Sequence, residues 1–438
     1  MRIEEFTTNT LEAFIKAERY MNDGSPSGFS DINTTSIQTC PRSSLKSFSI
    51  HQIMFEQEVL IKDIGLAKKA QYGENTMFVH PDMISHKFLS GLNYNECDNI
   101  VVAPTASGRT VIALTDEPFF IKMAYPLCLG RLTRHMGFDK ITSACEVTKH
   151  LIRAVETGKT NERFAFLRED YGRVAYFPLS PNNVLESDRV PDSNVQNGLY
   201  EWGVLFREFR PFPYIEKKEC LIPFFALFGQ EYDPIIKGKK AEQDEPLIIQ
   251  LFKKQSNCNL EEFLLEKVLF PLFDTYFDAL LFAGIELEAH AQNMLISIDC
   301  NHQISRIVCR DLESAGRDAT LMDYIGLQYD KKTAYKYNVL SPKKEDQKYP
   351  KWQINHSFMF DFKLGEYIVS PLLARCKKYL TDTTTDKICK QIKQYNKKYI
   401  DKLPDNFFPP DWCDYANQNF EQDGGTREYI WHEIPKYR

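Results

Sequence analysis

The sequence has 438 residues, a formal net charge of −6, 43% hydrophobic residues and 26% charged residues. At roughly 100–200 residues per domain, this length predicts two or three lobes of an ordinary globular protein. The sequence contains no block of clustered basic residues. Nucleic acid is therefore not expected as a partner, because phosphate backbones are bound by concentrated positive surfaces.

Targeting and membrane signals are also missing from the sequence. The N-terminal MRIEEFTTNT is acidic and polar, and the most apolar stretch, 263–285, is broken by charged residues and by Pro271. The 11 cysteines are scattered and include no CxxC pair, as in cytosolic proteins with reduced thiols. We expect a cytoplasmic protein without a membrane partner.

The N-terminal part is predicted to change from helices to strands. Residues 1–50 should hold one helix followed by loose structure, and 51–75 should form a second helix with one apolar side. Strands are predicted at 99–103, 109–114 and 119–124, with the turn PTASG between the first two. In the third strand Phe120 and Lys122 share a face, which would aim the lysine into a cleft.

A helix is predicted at 139–157, capped by Asp139 and ended by Gly158. Strands follow at 163–180 and 200–212, and the second contains the charged residues Glu208 and Arg210. Polar connectors are predicted at 181–199 and 234–245.

The C-terminal half begins with a capping box, Asn259 with Glu262, ahead of a long apolar helix. Pro271 should kink this helix or split it in two, and Gly284 should end it. A hairpin is predicted from strands 294–298 and 304–309. Further helices are expected near 366–380 and 384–400.

The segment 284–293, GIELEAHAQN, alternates polar and apolar residues. In an extended chain Glu286, Glu288, His290 and Gln292 fall on one face, and Asn293 follows. A solvated edge strand would alternate in the same way. However, this segment lies between apolar stretches, where polar groups need partners. The pattern therefore indicates a functional site.

The predicted hairpin would return Arg310 and Asp311 to the side of Glu288 and Asn293. Carboxylate and amide oxygens are ligands that Mg²⁺ prefers, and Mg²⁺ shares its coordination shell with phosphate oxygens. The alternative for Arg310 and Asp311 is a local ion pair at a strand end.

A second group of candidates is Ser107, Arg109 and Thr110 of the TASGRT turn, together with Lys122. Backbone N–H groups in a Ser-Gly turn can bind phosphate, and the two cations would neutralise it. The alternative is a plain hairpin turn. Combined with the acidic group downstream, this arrangement is analogous to the way protein kinases hold Mg·ATP between lobes, although the kinase motifs are absent from the sequence.

These motifs and their order resemble those of the NRPS-independent siderophore (NIS) synthetases, the family of the aerobactin synthetases. The signature G-I-x-x-E-x-H-x-Q-N, followed by R-D, stands here as Gly284–Asn293 and Arg310-Asp311. The upstream element P-T-x-S-x-R-T matches 104–110, and His80-Pro81 matches a histidine–proline pair that precedes it. The resemblance covers roughly residues 75–330.

The resemblance implies an α+β, cupped-hand fold with thumb, fingers and kinase-like palm lobes, shortened at the N-terminus. We expect a thumb-like helical segment at 1–75, a β-rich nucleotide-binding fingers lobe at 76–215, and a palm lobe with a helical tail at 216–438.

The resemblance also implies an AMP-forming, ATP-dependent carboxylate–amine ligase with ATP and Mg²⁺ as cofactors. Such an enzyme would adenylate citrate or a related polycarboxylic acid. It would then condense the acyl group with an amine, hydroxylamine or alcohol in siderophore biosynthesis. Its partners would be these small molecules, and related enzymes are often homodimers.

By position, the resemblance assigns ATP contacts to Ser107, Arg109, Thr110, Lys122, His290, Gln292 and Asn293. It assigns the metal to Glu288, Asn293 and Asp311, and catalysis to His290, Arg109, Lys122 and Arg134. Many members have a Thr-Ser-x-x-Arg element after the lysine. Here Gly130, Arg131 and Arg134 stand at that distance, so Arg134 would replace the arginine while the threonine is lost.

Two alternatives remain open from the sequence. The same Mg·ATP residues could serve a kinase-like phosphotransferase, which would release ADP. An altered family member could instead bind ATP or a carboxylate without ligation, and the lost threonine is in line with that alternative.

Overall fold

The computed structural model describes residues 1–21, 47–56, 59–65, 75–85, 89, 92–107, 109–129, 132–178, 195–196, 199–230, 245–255, 258–329, 348–380, 385–415 and 429–438. The protein is 42% helical and 27% strand, which confirms the α+β class. The predicted connectors at 181–199 and 234–245 lie outside the described residues, except for 195–196, 199 and 245.

The larger β-layer is an antiparallel sheet of nine strands. In chain order these are β1 (Phe48–Phe55), β2 (Leu60–Gly65), β3 (Thr76–Val79), β4 (Tyr94–Pro104), β5 (Thr110–Ala113), β6 (Phe119–Met123), β10 (Tyr171–Pro178), β11 (Val195–Gln196) and β12 (Leu199–Glu208). The spatial order is β2-β10-β12-β6-β5-β4-β1-β3, and β11 pairs with β12. The predicted hairpin around the PTASG turn is confirmed as β4–β5.

A second sheet is built from β9 (Phe164–Phe166), β13 (Cys220–Pro223), β15 (Met294–Ile298) and β16 (Ile304–Cys309). Its order is β13-β15-β16-β9, and β9 runs parallel to β16. The predicted hairpin 294–309 is confirmed as β15–β16. The remaining described strands form two-stranded pairs: β7 (Tyr125–Leu129) with β8 (Leu132–Arg134), β14 (Ile285–Glu286) with β17 (Gly316–Arg317), and β18 (Trp412–Tyr415) with β19 (Tyr429–His432).

The α-helices are α1 (Glu4–Thr8), α2 (Thr10–Tyr20), α3 (Pro81–Ser85), α4 (Phe138–Glu156), α5 (Phe224–Phe228), α6 (Leu247–Lys254), α7 (Leu260–Phe263), α8 (Phe270–Ala283), α9 (Ala319–Tyr324), α10 (Lys351–Ser357), α11 (Ser370–Cys376) and α12 (Thr385–Ile400). Two π-helical stretches lie at Leu264–Leu269 and Phe358–Val369, and short 3₁₀ turns lie at Leu312–Ser314 and Lys377–Tyr379. The predicted helices near 366–380 and 384–400 are therefore confirmed. None of the described helices is both long and apolar enough to cross a membrane.

The two faces of the nine-stranded sheet are buried against different partners. Val111 and Ile121 face a core that includes Ile141 of α4. Ile112 and Phe120 face a core shared with α2 and with β15 and β16 of the second sheet. Since side chains alternate along a strand, Lys122 lies on the same face as Phe120, towards the second sheet. The shared face of Phe120 and Lys122 is confirmed, and the cleft expected there stays a prediction.

The long apolar helix follows its predicted signals. The Asn259 side chain accepts a hydrogen bond from Glu262 N at 2.9 Å. The chain is π-helical immediately before Pro271, which has no N–H for a regular helical bond. Gly284 ends α8 with φ +64. This left-handed turn directs the chain out of the helix towards the candidate site.

Two local predictions are wrong. Residues 51–75 do not form a helix, because they contribute β1 and β2 to the large sheet. The apolar residues there fit helical spacing, but pairing with β3, β4 and β10 satisfies both the backbone and the buried face of this segment. Asp139 is not the cap of α4 either. The N-cap is Gly137, without a side-chain cap bond. The division into three lobes stays a prediction.

Candidate active site

Three cations of the large sheet reach the segment that follows the hairpin β15–β16. Lys122 Nζ donates to Glu313 Oε1 at 2.8 Å and also bonds Asp311. Arg109 Nη2 donates to the same Glu313 oxygen at 3.2 Å. Arg207 Nη2 donates to Asp311 Oδ1 at 2.5 Å. We call Arg109, Lys122 and Arg207 the cation cluster. All three of its residues are buried.

Asp311 is held in a strained backbone conformation at the centre of these contacts. Its φ is +70, in the left-handed region that residues other than glycine seldom adopt. Buried Glu169 fixes this turn, because its carboxylate accepts from Asp311 N at 3.2 Å and from Leu312 N at 3.0 Å. Glu169 also accepts a hydrogen bond from Arg207. Hydrogen bonds therefore fix both the backbone and the side chain of Asp311, which the sequence predicted at the end of this strand.

The cation cluster faces two firmly ionised carboxylates. Burial would raise the pKa of Asp311, but the charges of Lys122 and Arg207 hold it well below its usual range. In the same way Lys122 and Arg109 overcome burial and lower the pKa of Glu313 to about 2. Burial instead raises the pKa of Glu169, in spite of Arg207. Glu169 thus differs from Asp311 and Glu313, whose charged forms are stabilised by the cations more strongly than burial opposes them.

The segment after α8 is not the extended strand that its alternation predicted. Only Ile285–Glu286 is a strand, and the chain then turns. His290 N donates to Glu288 O at 3.0 Å, and Asn293 N donates to His290 O at 2.8 Å. Glu286 points elsewhere: it is fully buried and accepts from Tyr276 Oη at 3.2 Å. Local turn bonds thus replace the single polar face expected from the sequence.

His290 is neutral at physiological pH. Burial lowers the pKa of His290 to about 4, although the charge of Glu288 opposes this. Its Nδ1 accepts from Gln292 N at 3.2 Å, so the proton of the neutral ring lies on Nε2. The charge of Asp311 also acts on the ring. His290 can therefore donate one hydrogen bond from Nε2 to an anion.

The three predicted metal ligands are not collected around one point. Glu288 pairs with Lys363 Nζ at 3.3 Å, while Asp311 is bound by Lys122 and Arg207. Asn293 donates its side-chain N–H to Glu288 O at 3.2 Å. The described residues contain no group of three or more histidine, cysteine, aspartate or glutamate side chains that could hold a metal ion. The oxygen ligands suit Mg²⁺ by type, but both carboxylates are engaged by cations.

The TASGRT turn is tied down by its own residues. Thr105 Oγ1 donates to Thr110 O at 2.7 Å and accepts from Ser107 N at 3.1 Å. Thr110 N donates to Ser107 O at 3.3 Å, and Thr110 Oγ1 lies 3.4 Å from Ser107 Oγ. Ala106 N donates to Glu18. The expected row of backbone N–H groups for phosphate is thus already bonded at Ala106, Ser107 and Thr110. The positive charge at this turn comes from the side chain of Arg109.

Glu18 of α2 joins the two halves of the site. One oxygen of this buried carboxylate accepts from Ala106 N at 3.1 Å, and the other accepts from Arg310 Nη2 at 2.7 Å. Arg310 in turn donates from Nε to Gln292 O at 2.8 Å. The adjacent Arg19 donates to Thr105 O at 2.9 Å. Arg310 therefore does not form the local pair with Asp311 that was the alternative from sequence.

The remaining predicted residues have different outcomes. Arg134 lies in β8, and its side chain is outside the described residues, as are Gly130 and Arg131. His80 is fully buried against the ring of Tyr125 at 5.2 Å. Glu208 bonds Tyr214, and Arg210, two residues beyond β12, donates to Ile215 O at 2.6 Å. Neither of these contacts involves the cation cluster.

Sequence reasoning missed five residues of this site: Glu18, Glu169, Arg207, Glu313 and Lys363. A sequence signal existed for one of them, since Glu313 stands two residues after Asp311. Arg207 lies beside Phe120 in the strand register, on the face that carries Lys122, but only the structure shows this register. The other three come from elements far away along the chain, where no local pattern indicates them.

Three solved structures share this architecture. The likeness to petrobactin biosynthesis protein AsbB from Bacillus anthracis str. Sterne covers 97% of this chain and 75% of AsbB, at 15% identity and a TM-score of 0.65. The likeness to the ATP-bound aerobactin synthetase IucA from a hypervirulent pathotype of Klebsiella pneumoniae covers 98% of this chain and 80% of IucA, at 13% identity and a TM-score of 0.62. The likeness to aerobactin synthetase IucC of the same source covers 84% of this chain and 65% of IucC, at 12% identity and a TM-score of 0.54.

This chain has the NIS synthetase fold. All three structures are NIS synthetases, and the expectation from the sequence motifs is confirmed for the architecture. No protein-family model and no curated protein sequence matches the chain. At 12–15% identity the likeness establishes the NIS synthetase fold and leaves activity and site residues as proposals.

Proposed function

We propose that this chain is an AMP-forming, ATP-dependent ligase of the NIS synthetase family. It would adenylate a carboxylate, with citrate or a related polycarboxylic acid as the first choice. It would then join the acyl group to an amine, hydroxylamine or alcohol, as in siderophore biosynthesis. The observation that carries this proposal is the buried convergence of Arg109 and Lys122 on Glu313 and Asp311, within a fold shared with an ATP-bound synthetase.

The chemistry of the donors suits a triphosphate. Arg109, Lys122 and Arg207 supply three buried positive charges, and His290 adds a neutral N–H donor. Charge-assisted hydrogen bonds from such groups are roughly twice as strong as neutral ones. Ser107 and Thr110 would contribute hydroxyl groups at the turn. Gln292 and Asn293 belong to the same nucleotide-binding set, and Arg134 would be a further cation.

The proposed reaction has two steps. A carboxylate oxygen attacks the α-phosphorus of ATP, and pyrophosphate leaves with the bonding electrons. The nucleophile then attacks the acyl carbon, AMP leaves, and the nucleophile loses its proton. A free carboxylate is a poor electrophile, so the first step creates the leaving group. The protein contributes positioning and neutralisation of phosphate charge, which together account for most of such catalysis.

Mg²⁺ is part of the proposal, with Glu288, Asn293 and Asp311 as its protein ligands. Mg²⁺ usually takes one or two carboxylates and completes its shell with water and phosphate oxygens. Because Glu288 and Asp311 are engaged by Lys363 and Lys122, the metal would have to replace these ion pairs. No catalytic step is assigned to it.

The decisive experiment is hydroxylamine-trapped adenylation with purified protein. Pyrophosphate, AMP, ADP and hydroxamate would be measured with citrate, 2-oxoglutarate, succinate and related acids. Acid-dependent hydroxamate with matching pyrophosphate and AMP supports the ligase. Acid-dependent ADP would support a phosphotransferase instead. ATP binding without turnover across the panel would leave a binding protein. A cytoplasmic location and a homodimer are further expectations, and sedimentation measures the second.

A further inference from the structure

Residues 435–438 lie along a continuous helical run that begins with α10, passes through the π-helical stretch Phe358–Val369 and ends with α11. We call residues 435–438 the anchor segment. Three of its side chains bond the helical run: Arg438 to Asp361 at 2.9 Å, Lys436 to Glu366 at 2.7 Å and Tyr437 to Ser370 at 2.6 Å. These contacts reach from the first turn of the π-helical stretch to the residue that follows it.

The anchor segment is packed into the fold. Only 2% of Tyr437 is exposed, and a Cβ added at Gly365 would lie 2.7 Å from Cε2 of the Tyr437 ring. Asn396 of α12 donates to Tyr437 O at 2.8 Å. The side chain of Arg438 is 8% exposed and also donates to Pro409 O at 2.6 Å. Backbone and side-chain contacts therefore both hold the anchor segment against the helical run.

The spacing of these contacts fits a π-helix and does not fit an α-helix. Asp361 and Ser370 are nine residues apart. At about 3.6 residues per turn, nine residues make about two and a half turns of an α-helix, so the two side chains would lie on opposite sides. A π-helix has wider turns, because its hydrogen bonds join residue i to residue i+5, and nine residues make about two of them. Both side chains then face the anchor segment.

Lys363 lies within the same π-helical stretch and reaches the candidate site. Its Nζ lies 3.3 Å from Glu288 Oε1 and 5.3 Å from the ring centroid of Phe358. Phe358 and Lys363 are five residues apart, which places them one above the other in a π-helix. In an α-helix the same spacing would turn Lys363 away from Phe358 by about 140°. The direction of Lys363 thus depends on the π-helical form.

We propose that the anchor segment positions Lys363 by holding Phe358–Val369 in the π-helical form. Long π-helical runs are rare, so contacts from outside the helix are needed to favour one over an α-helix. Tyr437 and Arg438 supply such contacts and are positioning residues, because they act on Glu288 of the candidate site through Lys363. The proposal concerns the geometry of this ion pair and does not depend on the chain being a ligase.

The ion pair of Lys363 with Glu288 can be measured by carbodiimide cross-linking of the purified full chain. The reagent joins an ammonium and a carboxylate in contact as an amide, with loss of water, and mass spectrometry quantifies the product. The two side chains are 17% and 23% exposed, so the reagent can reach them. We expect this cross-link in wild type. Its yield should fall by about tenfold or more in Arg438→Met, which breaks the buried charge pair with Asp361.

The cross-link between Lys387 and Glu261 is the control, since these two side chains pair at 3.0 Å between α12 and α7. Its yield should be the same in wild type and in Arg438→Met. Equal loss of both cross-links would show a general loosening of the fold and would overturn the proposal. Absence of the cross-link between Lys363 and Glu288 from wild type would overturn it as well.

A double variant separates positioning from folding. Arg438→Met alone leaves buried Asp361 without its arginine, which should lower the urea midpoint. Asp361→Leu combined with Arg438→Met leaves neither charge and should recover stability. The cross-link between Lys363 and Glu288 should nevertheless stay low, because residue 438 no longer holds the helix. Recovery of this cross-link together with stability would show that the anchor segment contributes to folding alone, and would reject the positioning role.

Discussion

At the scale of single residues, Arg109 and Lys122 share one acceptor, Oε1 of Glu313. Loss of one preorganised electrostatic contact typically costs about 2.7–4 kcal/mol in the transition state. We therefore expect Arg109→Ala and His290→Ala each to lower turnover by a factor on the order of 10² or more, with the fold intact. Pyrophosphate release measures turnover, and far-ultraviolet circular dichroism checks the fold.

Lys149→Ala is the control for this prediction, since Lys149 is an exposed cation of α4 and should leave turnover unchanged. Near-normal turnover in both Arg109→Ala and His290→Ala would contradict the site assignment.

Glu18 is expected to matter for both stability and nucleotide binding. Glu18→Leu leaves the buried guanidinium of Arg310 without its carboxylate, and breaking such a pair costs about 3–5 kcal/mol. It also releases Ala106 N. We expect a lower urea midpoint and a raised KM for ATP. The double variant Glu18→Leu with Arg310→Met should recover part of the stability, because no charge is left unpaired.

Recovery of stability without recovery of KM would assign Glu18 a positioning role beyond its contribution to folding. Strictly additive losses of stability in the double variant would contradict the pairing argument.

The residues that sequence reasoning found and missed differ in one physical respect. Lys122 and Asp311 stand at the ends of strands that local patterns indicate, so they could be predicted. Glu18 lies 292 residues from Arg310 along the chain, and no local pattern reports such a contact. Arg207 was missed for a different reason. Only Glu208 and Arg210 of the predicted strand 200–212 were noted from the sequence, and the register to β6, which decides the face that meets Lys122, is seen only in the structure.

At the scale of elements, short-range sequence signals predicted the ends of helices well. The capping residue Asn259 and the left-handed Gly284 both act within a single turn. Alternation was less reliable. It predicted a strand at 285–293, where hydrogen bonds around His290 form a turn instead. Helical spacing predicted a helix at 51–75, where the chain pairs with other strands instead. These two outcomes depend on partners that lie far away in the sequence.

Gly284 is required both by its backbone and by its packing. Gly284→Ala places alanine at φ +64, and the added Cβ would lie 2.3 Å from Met322 Cγ. The left-handed conformation costs about 1–2 kcal/mol, and overpacking typically costs about 1–3 kcal/mol more. Gly158→Ala is a matched control, because Gly158 has φ +66 and no atom within 4 Å of the added Cβ. Urea unfolding should show the larger loss for Gly284→Ala.

Equal losses in the two glycine variants would mean that Met322 moves aside at no cost. If the larger loss appears together with reduced turnover, the path of the chain after α8 also matters for the site, since His290 and Asn293 follow Gly284 directly.

At the scale of the whole molecule, one buried cluster joins the C-terminal helices to the segments around the site. His356 of α10 lies 2.7 Å from Glu286 Oε1 through Nδ1 and 3.2 Å from Asp318 Oδ2 through Nε2. Asp318 also caps α9, accepting from Leu321 N at 3.0 Å. The ring of His356 stacks on Phe407 with centroids 3.8 Å apart. A single imidazole thus connects β14, α9 and the C-terminal part of the fold.

This cluster predicts a specific dependence of stability on pH. Burial would lower the pKa of His356, but the charge of Glu286 and the contact with Asp318 raise it to about 9, from an ordinary value of 6.5. The native state therefore holds the proton more tightly than the unfolded chain. This contribution is complete below pH 6.5 and is lost as the pH rises through about 9. A difference of this size is worth on the order of 3 kcal/mol.

His356→Gln removes the titrating group while keeping a polar side chain of similar size. Its free energy of unfolding should fall below that of wild type by the largest amount below pH 6.5. The gap should narrow by on the order of 3 kcal/mol once the pH exceeds the folded-state pKa. Urea titrations at closely spaced pH values measure this, with the partly exposed His51→Gln as the control. A gap that stays constant across the whole range would show that His356 does not carry its proton in the folded protein.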